Sequence, residues 1–196
     1  MDVGLLYSGG KDSSLAGLLL EPFADVTALC CSFGITDDYE HAMRAARSIG
    51  FEAQCIELDE DVADAAAAQI VSDGFPRNGI QQCHEHALET VSDLGFDAVA
   101  DGTRRDDHVP TVDRPLAQSV EDRYDVKYLA PLKGFGREAI DTLVTRTLTV
   151  ESGPSETIPK GDYETELRAI LVTEWGESTV TDVFPDHTQS RVLGRA

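Results

Sequence analysis

The chain has 196 residues, with 36 Asp or Glu against 16 Lys or Arg, for a formal charge of −20. Its hydrophobic share of 41% is far above that of a disordered acidic chain, so a domain of this length can bury a core. No apolar run approaches the ~20 residues of a membrane span, no basic segment precedes an apolar one at the N-terminus, and the charge argues against a general basic groove for nucleic acid. A soluble, cytoplasmic protein with no membrane partner is expected.

Short apolar runs alternate with longer amphipathic ones. Residues 2–7 (DVGLLY) are a strand candidate that ends in Ser-Gly-Gly, and Asp12 to Leu20 follows as a helix. A second strand is expected over Asp25 to Phe33, a helix from a Thr36 cap to about Ser48, and a third strand over Phe51 to Leu58. Glu60 to Val71, with four consecutive alanines, reads as a helix ended by Gly74 and Pro76, and Gln81 to Leu94 as another stopped by Gly95. Phe96 to Ala100 is a fourth strand, Asp113 to Arg123 a helix, Val126 to Leu129 a fifth strand and Arg137 to Leu148 a helix. Strands separated by helices of this length imply right-handed crossovers. The fold class is α/β: a Rossmann-like, open, parallel, five-stranded sheet with helices on both faces. Residues 1–150 form this domain. Residues 151–196 read as a short C-terminal appendage, with a linker over 151–159 (ESGPSETIP), a helix over Asp162 to Trp175 and a weakly strand-like tail.

The acids are spread along the chain and only four of the bases are lysines. That pattern suits a salt-loaded cytoplasm of the haloarchaeal kind, where a Debye length of ~3 Å at molar salt screens self-repulsion. The cysteines (Cys30, Cys31, Cys55 and Cys83) form no CxxC pair, and Cys30 and Cys31 in a strand would face opposite sides. Cys83-His84-Glu85-His86 looks metal-like, but residues two apart on a helix diverge, so the two imidazoles are expected not to share an ion.

Ligands of open parallel sheets bind beyond the carboxyl ends of the strands. Ser8-Gly9-Gly10-Lys11-Asp12-Ser13 lies at the first such end and opens a helix. Its free N–H groups and the helix dipole make an anion cradle, to which Ser8, Ser13 and Lys11 add hydroxyls and a charge. Asp12 suits either a divalent cation bridging phosphates or a cap on the turn. Asp101-Gly102-Thr103-Arg104-Arg105-Asp106-Asp107 follows the fourth strand, and Ala130 to Ile140, with Lys133 and Arg137, follows the fifth. The middle segment reads either as a site for a metal-bound triphosphate or as an Arg–Asp cluster bracing a loop.

The SGGKDS hexapeptide after an apolar first strand resembles the PP-loop of the N-type ATP pyrophosphatases, the adenine nucleotide alpha hydrolases. The Gly followed by paired acids after the fourth strand, and the PL…R-E-x-I segment after the fifth, are similar to that superfamily's further motifs. The resemblance covers roughly residues 1–150 and implies ATP and Mg²⁺ as cofactors. It implies Lys11, Asp12, Arg104, Arg105, Asp106 and Asp107 as catalytic groups. It places Ser8, Gly9, Gly10, Lys11, Asp12, Ser13, Ser32, Phe33, Gly102, Thr103 and Arg137 at the nucleotide, and Asp12, Asp106 and Asp107 at the metal. Phe33 and Ile35 suit either the faces of the adenine or a core role at the strand end.

Such enzymes cleave ATP between the α- and β-phosphates and adenylate an acceptor. The resemblance leans toward small archaeal members acting in tRNA thiolation or modification, with tRNA or a small molecule as acceptor. Two alternatives stand beside it: an ammonia-dependent amide ligase subunit, and a non-catalytic ATP-binding module of the universal-stress type. A homodimer is open to any of these.

Overall fold

The computed structural model describes residues 1–196. Five parallel strands form the sheet: β1 (Asp2–Leu6), β2 (Asp25–Ser32), β3 (Glu52–Glu57), β4 (Ala98–Ala100) and β5 (Lys127–Leu129), in the order β3-β2-β1-β4-β5. The expected α/β fold is therefore present. The helices are α1 (Lys11–Leu20), α2 (Tyr39–Ser48), α3 (Glu60–Asp73), α4 (Arg77–Ser92), α5 (Arg114–Tyr124), α6 (Arg137–Thr147), α7 (Tyr163–Trp175) and α8 (Glu177–Val183). None is long and apolar enough to cross a membrane.

Strand alternation divides the core into two layers. Val3, Leu5, Ala28, Cys30, Ala98 and Ala100 face one way and meet α1, α2 and α6 through Leu15, Ala42, Ala46 and Ile140. Leu6, Leu29, Cys31 and Val99 face the other way and meet α3, α4 and α7 through Ala66, Ile70, Leu88 and Leu167. Cys30 and Cys31 thus part to opposite faces, as strand geometry requires. Alanine-rich faces on α2 and α3 let these helices lie close to the sheet, while Asp59, Asp113 and Asp162 cap α3, α5 and α7 by accepting first-turn N–H bonds.

The last part of the chain departs from the local reading. Residues 151–154, the first part of the expected linker, belong to β6 (Leu148–Pro154), an antiparallel partner of β7 (Thr188–Arg195). Gly176 breaks the helix after α7, and residues 177–183 form α8 rather than extended tail. The β6–β7 ribbon lies against the first layer through Leu148 and Val192. Arg195 fastens its end, donating to the Ile49 carbonyl at 2.7 Å and to the Glu21 carboxylate at 2.6 and 3.1 Å. α7 joins the second layer.

Glu166 of α7 ties that helix to the end of β2. Its Oε1 accepts from the Ser32 hydroxyl at 2.9 Å and from the N–H groups of Phe33 and Ile35 at 3.1 and 3.2 Å. The side chain is buried, so removing it strands three donors without water. Each such loss costs about 1–3 kcal/mol. Glu166→Ala is expected to lower the urea midpoint by an amount equivalent to about 3 kcal/mol with the m-value unchanged. An unshifted midpoint would remove Glu166 from this role.

Candidate active site

Strands β1 and β4 are neighbours whose connections leave in opposite directions, toward β2 and β5 respectively. This is the switch point of the sheet, where the loops beyond the strand ends diverge and leave a crevice. A cleft of about 590 Å³ opens there, within the range of ~300–1,000 Å³ usual for small-molecule sites. Its walls are the loop after β1, the loop after β4, the start of α6 and the C-terminal segments 160–164 and 187–190.

The loop after β1 is braced from behind. Tyr7 and Ser14 hydroxyls share a hydrogen bond of 2.7 Å, and Ser14 and Ser13 hydroxyls donate to the Gly10 carbonyl at 2.8 and 3.2 Å. The N–H groups of Lys11, Asp12 and Ser13, at the start of α1, find no acceptor within the protein. These free donors and the helix dipole favour an anion. Lys11 meanwhile donates through Nζ to Asp141 of α6 at 2.6 Å.

Asp12 stands between cations without a hydrogen bond to either. Its Oδ1 is buried and has no hydrogen-bond partner; Lys11 Nζ is 3.9 Å from it, and Arg104 Nε is 3.8 Å from Oδ2. Burial pushes its carboxyl up, against the pull of Lys11 and Arg104. An orphaned carboxylate oxygen in a cleft fits the Mg²⁺ that the resemblance implies, because that ion is commonly held by one or two carboxylates plus substrate phosphates. Asp107 fits less well. Its Oδ1 accepts from Arg104 Nε and Nη2 at 2.9 and 2.5 Å, and its Oδ2 from the Arg104 N–H at 2.7 Å.

The loop after β4 is seated on the loop after β1. A Cβ on Gly102 would stand 2.7 Å from the Ser13 nitrogen, so only glycine permits this approach. Asp101 borders the cleft but is buried in a hydrogen-bonded network. It accepts from Thr103 Oγ1 and N–H at 2.6 and 2.9 Å and from the Tyr128 hydroxyl at 2.8 Å, and it meets His84 Nε2 at 3.0 Å. Burial opposes ionisation of Asp101, but His84 and Thr103 outweigh it and hold the carboxyl below its ordinary range.

Ser8, Lys11, Asp12, Ser13, Gly102, Thr103, Arg104, Asp107 and Arg137 all border the cleft. Gly9 and Gly10 contribute backbone behind it. Arg105 and Asp106 do not border it: both are exposed, and the Arg105 guanidinium lies over Gly136 at the start of α6. Ser32 and Phe33 are also outside it, because Glu166 occupies their polar groups and Phe33 packs against His86 and Tyr163. Lys133 donates to the Val112 carbonyl instead of joining the other cations. His84 and His86 part as helix geometry requires, His86 accepting from the Asp59 N–H. Cys31 borders the cleft, but burial pushes its thiol up; burial likewise pushes Cys30 and Cys83 up to about 12. Lys160, Asp162, Glu164, His187 and Gln189 also face the cleft. Local pattern offered no signal for them beyond the short polar run Lys160-Gly161-Asp162.

Residues 1–194 match a family described as "Family of unknown function (DUF7411)". The chain belongs to that family. An uncharacterized protein of Methanocaldococcus jannaschii, MJ0690, is 38% identical over 195 residues, covering 99% of this chain and 96% of its own. A crystal structure from the same organism, described as a predicted subunit of tRNA methyltransferase, has a TM-score of 0.90 at 37% identity, covering 100% of this chain and 98% of its own. The tRNA-specific 2-thiouridylase MnmA of Syntrophomonas wolfei is 28% identical over 229 aligned positions, which take in all of this chain but 64% of the thiouridylase. The U34-tRNA thiolase NcsA of Methanococcus maripaludis, solved with its 4Fe-4S cluster, has a TM-score of 0.50 at 20% identity over 74% of this chain and 56% of its own. That last likeness is one of fold. The solved relatives share the α/β fold; coming from methanogens and a bacterium, the relatives lend no support to a haloarchaeal source.

The Asp101 network has a pH signature. Its low folded value adds stability above the unfolded value of about 3.9, and that stability is lost as pH falls through the folded value. Asp101→Asn is expected to flatten the acid limb of the stability profile below about pH 4. An acid limb identical to that of the parent protein would contradict this.

Proposed function

We propose that the protein binds Mg-ATP in the cleft at the switch point and adenylates an acceptor, releasing pyrophosphate, within a tRNA-modification reaction. The observation that carries this reading is the convergence on one crevice of the free N–H donors of Lys11 to Ser13, the cationic side chains of Lys11, Arg104 and Arg137, and the orphaned Asp12 oxygen. A polyphosphate with a bound cation satisfies all of them at once.

In this reaction an acceptor oxygen attacks the α-phosphorus. The bond from that phosphorus to the bridging oxygen breaks, and its electron pair leaves with pyrophosphate. Loop N–H groups and Lys11 hold the departing β- and γ-phosphoryl groups, and Arg104 and Arg137 offset charge that builds on them. Mg²⁺ at Asp12 would supply further neutralisation. A nitrogen or sulfur nucleophile then attacks the acceptor carbon that bears the adenylate, and the carbon–oxygen bond breaks so that AMP leaves with that oxygen. The names of the thiouridylase and thiolase relatives favour sulfur and a tRNA base. Burial pushes up the Cys31 thiol beside the cleft, which disfavours its thiolate as the sulfur nucleophile.

Pyrophosphate release with Mg-ATP, assayed against tRNA, ammonia or no acceptor, tests the proposal. Release stimulated by tRNA is expected. Stimulation by ammonia alone would move the assignment to amide ligation, and tight ATP binding with no pyrophosphate in any mixture would overturn adenylation. Asp12→Asn is expected to abolish turnover while circular dichroism and the urea midpoint stay near those of the parent protein. Undiminished turnover in this variant would refute the role given to Asp12.

A further inference from the structure

The segment Lys160-Gly161-Asp162 reaches the cleft from outside the α/β domain and is locked to the loop after β1. The Gly161 N–H donates to the Ser8 carbonyl at 3.1 Å. A Cβ on Gly161 would stand 2.9 Å from the Tyr39 backbone and 3.0 Å from Ala42, so the contact admits no side chain. The residues on either side of this glycine both border the cleft. Lys160 is largely buried, its side chain 17% exposed, with its Cδ 4.0 Å from where a Cβ on Gly10 would lie. Its Nζ meets Asp162 Oδ2 at 2.6 Å, and Lys160 and Asp12 each stabilise the other's charge.

We infer that Lys160 is a further phosphate-contacting residue, a second lysine at the polyphosphate site, supplied by the C-terminal segment and held ready by Asp162 as an exchangeable counter-ion. This rests on the ATP reading above and deepens it. Burying a lysine beside a carboxylate is a poor stabilising device, because desolvation offsets most of the attraction. Its position is better accounted for by a partner that arrives with the substrate. A phosphoryl oxygen beside Gly10 lies within the reach of this side chain and draws Nζ from Asp162. Asp162 keeps its other oxygen on the Thr165 N–H at 3.2 Å, so the start of α7 does not depend on the exchange.

Two variants make opposite predictions. Lys160→Met removes the cation at nearly constant length and is expected to weaken binding of inorganic pyrophosphate about tenfold at fixed ionic strength, with Lys160→Arg restoring most of it. Asp162→Asn keeps the cap but removes the competing charge, so it is expected to tighten pyrophosphate binding severalfold. Titration calorimetry with pyrophosphate alone reads both, and the urea midpoint of each variant reports whether the fold is kept. If both substitutions weaken binding equally, or Lys160→Met leaves it unchanged in a folded protein, the assignment fails. Parent protein that binds pyrophosphate with this ordering of variants, yet never cleaves ATP, upholds Lys160 and overturns the adenylation reading. Parent protein that binds neither pyrophosphate nor Mg-ATP overturns both.

Discussion

The architecture depends on two backbone hydrogen bonds that hold the carbonyls of the loop after β1. Ser8 and Gly9 present carbonyl oxygens that would repel an anion if they faced the cleft. The Gly161 and Val192 N–H groups fix both, at 3.1 and 2.9 Å. With these oxygens committed, the N–H groups that open α1 are left as the loop's free polar atoms. A glycine-rich turn can adopt several conformations, and these two partners narrow that choice to one compatible with an anion.

The same site shows how an acidic protein keeps cations available without leaving them in solvent. Lys11 is paired to Asp141, Arg104 to Asp107 and Lys160 to Asp162, each with a contact of about 2.6 Å or shorter. Each carboxylate keeps its cation extended toward the cleft. A ligand with several negative oxygens competes for all three at once, whereas a single carboxylate elsewhere on the chain does not. A large negative charge therefore does not by itself preclude an anion in this cleft, because the local arrangement of pairs decides the outcome.

Much of the α/β layer was legible because its signals are local. Apolar runs of strand length separated by amphipathic runs specify parallel pairing, and Ser8 to Ser13 carries its own turn and anion chemistry. The rest was not local. Ser152, Gly153 and Pro154 suggest a linker, yet they pair with Ser190, Gln189 and Thr188, far along the chain. Lys160 and His187 acquire meaning only once that pairing brings them together. Asp101 stood in the same polar run as Asp107, but its place in a buried network depends on His84 and Tyr128, which come from other elements. Ser32 and Phe33 illustrate the converse. Their position at a strand end suggested a nucleotide contact, and Glu166, more than a hundred residues later, already bonds both.

The bonds from Gly161 and Val192 also set an order of events in biosynthesis. Residues 8–13 leave the ribosome well before the partners of Ser8 and Gly9, which lie more than 150 residues further along. At roughly 5–20 residues per second, on the order of ten seconds or more separates them. Through that interval the nascent chain carries its glycine-rich loop without the groups that shape it. A finished site thus marks a molecule whose synthesis has passed β7, and any anion bound there would stabilise only such molecules.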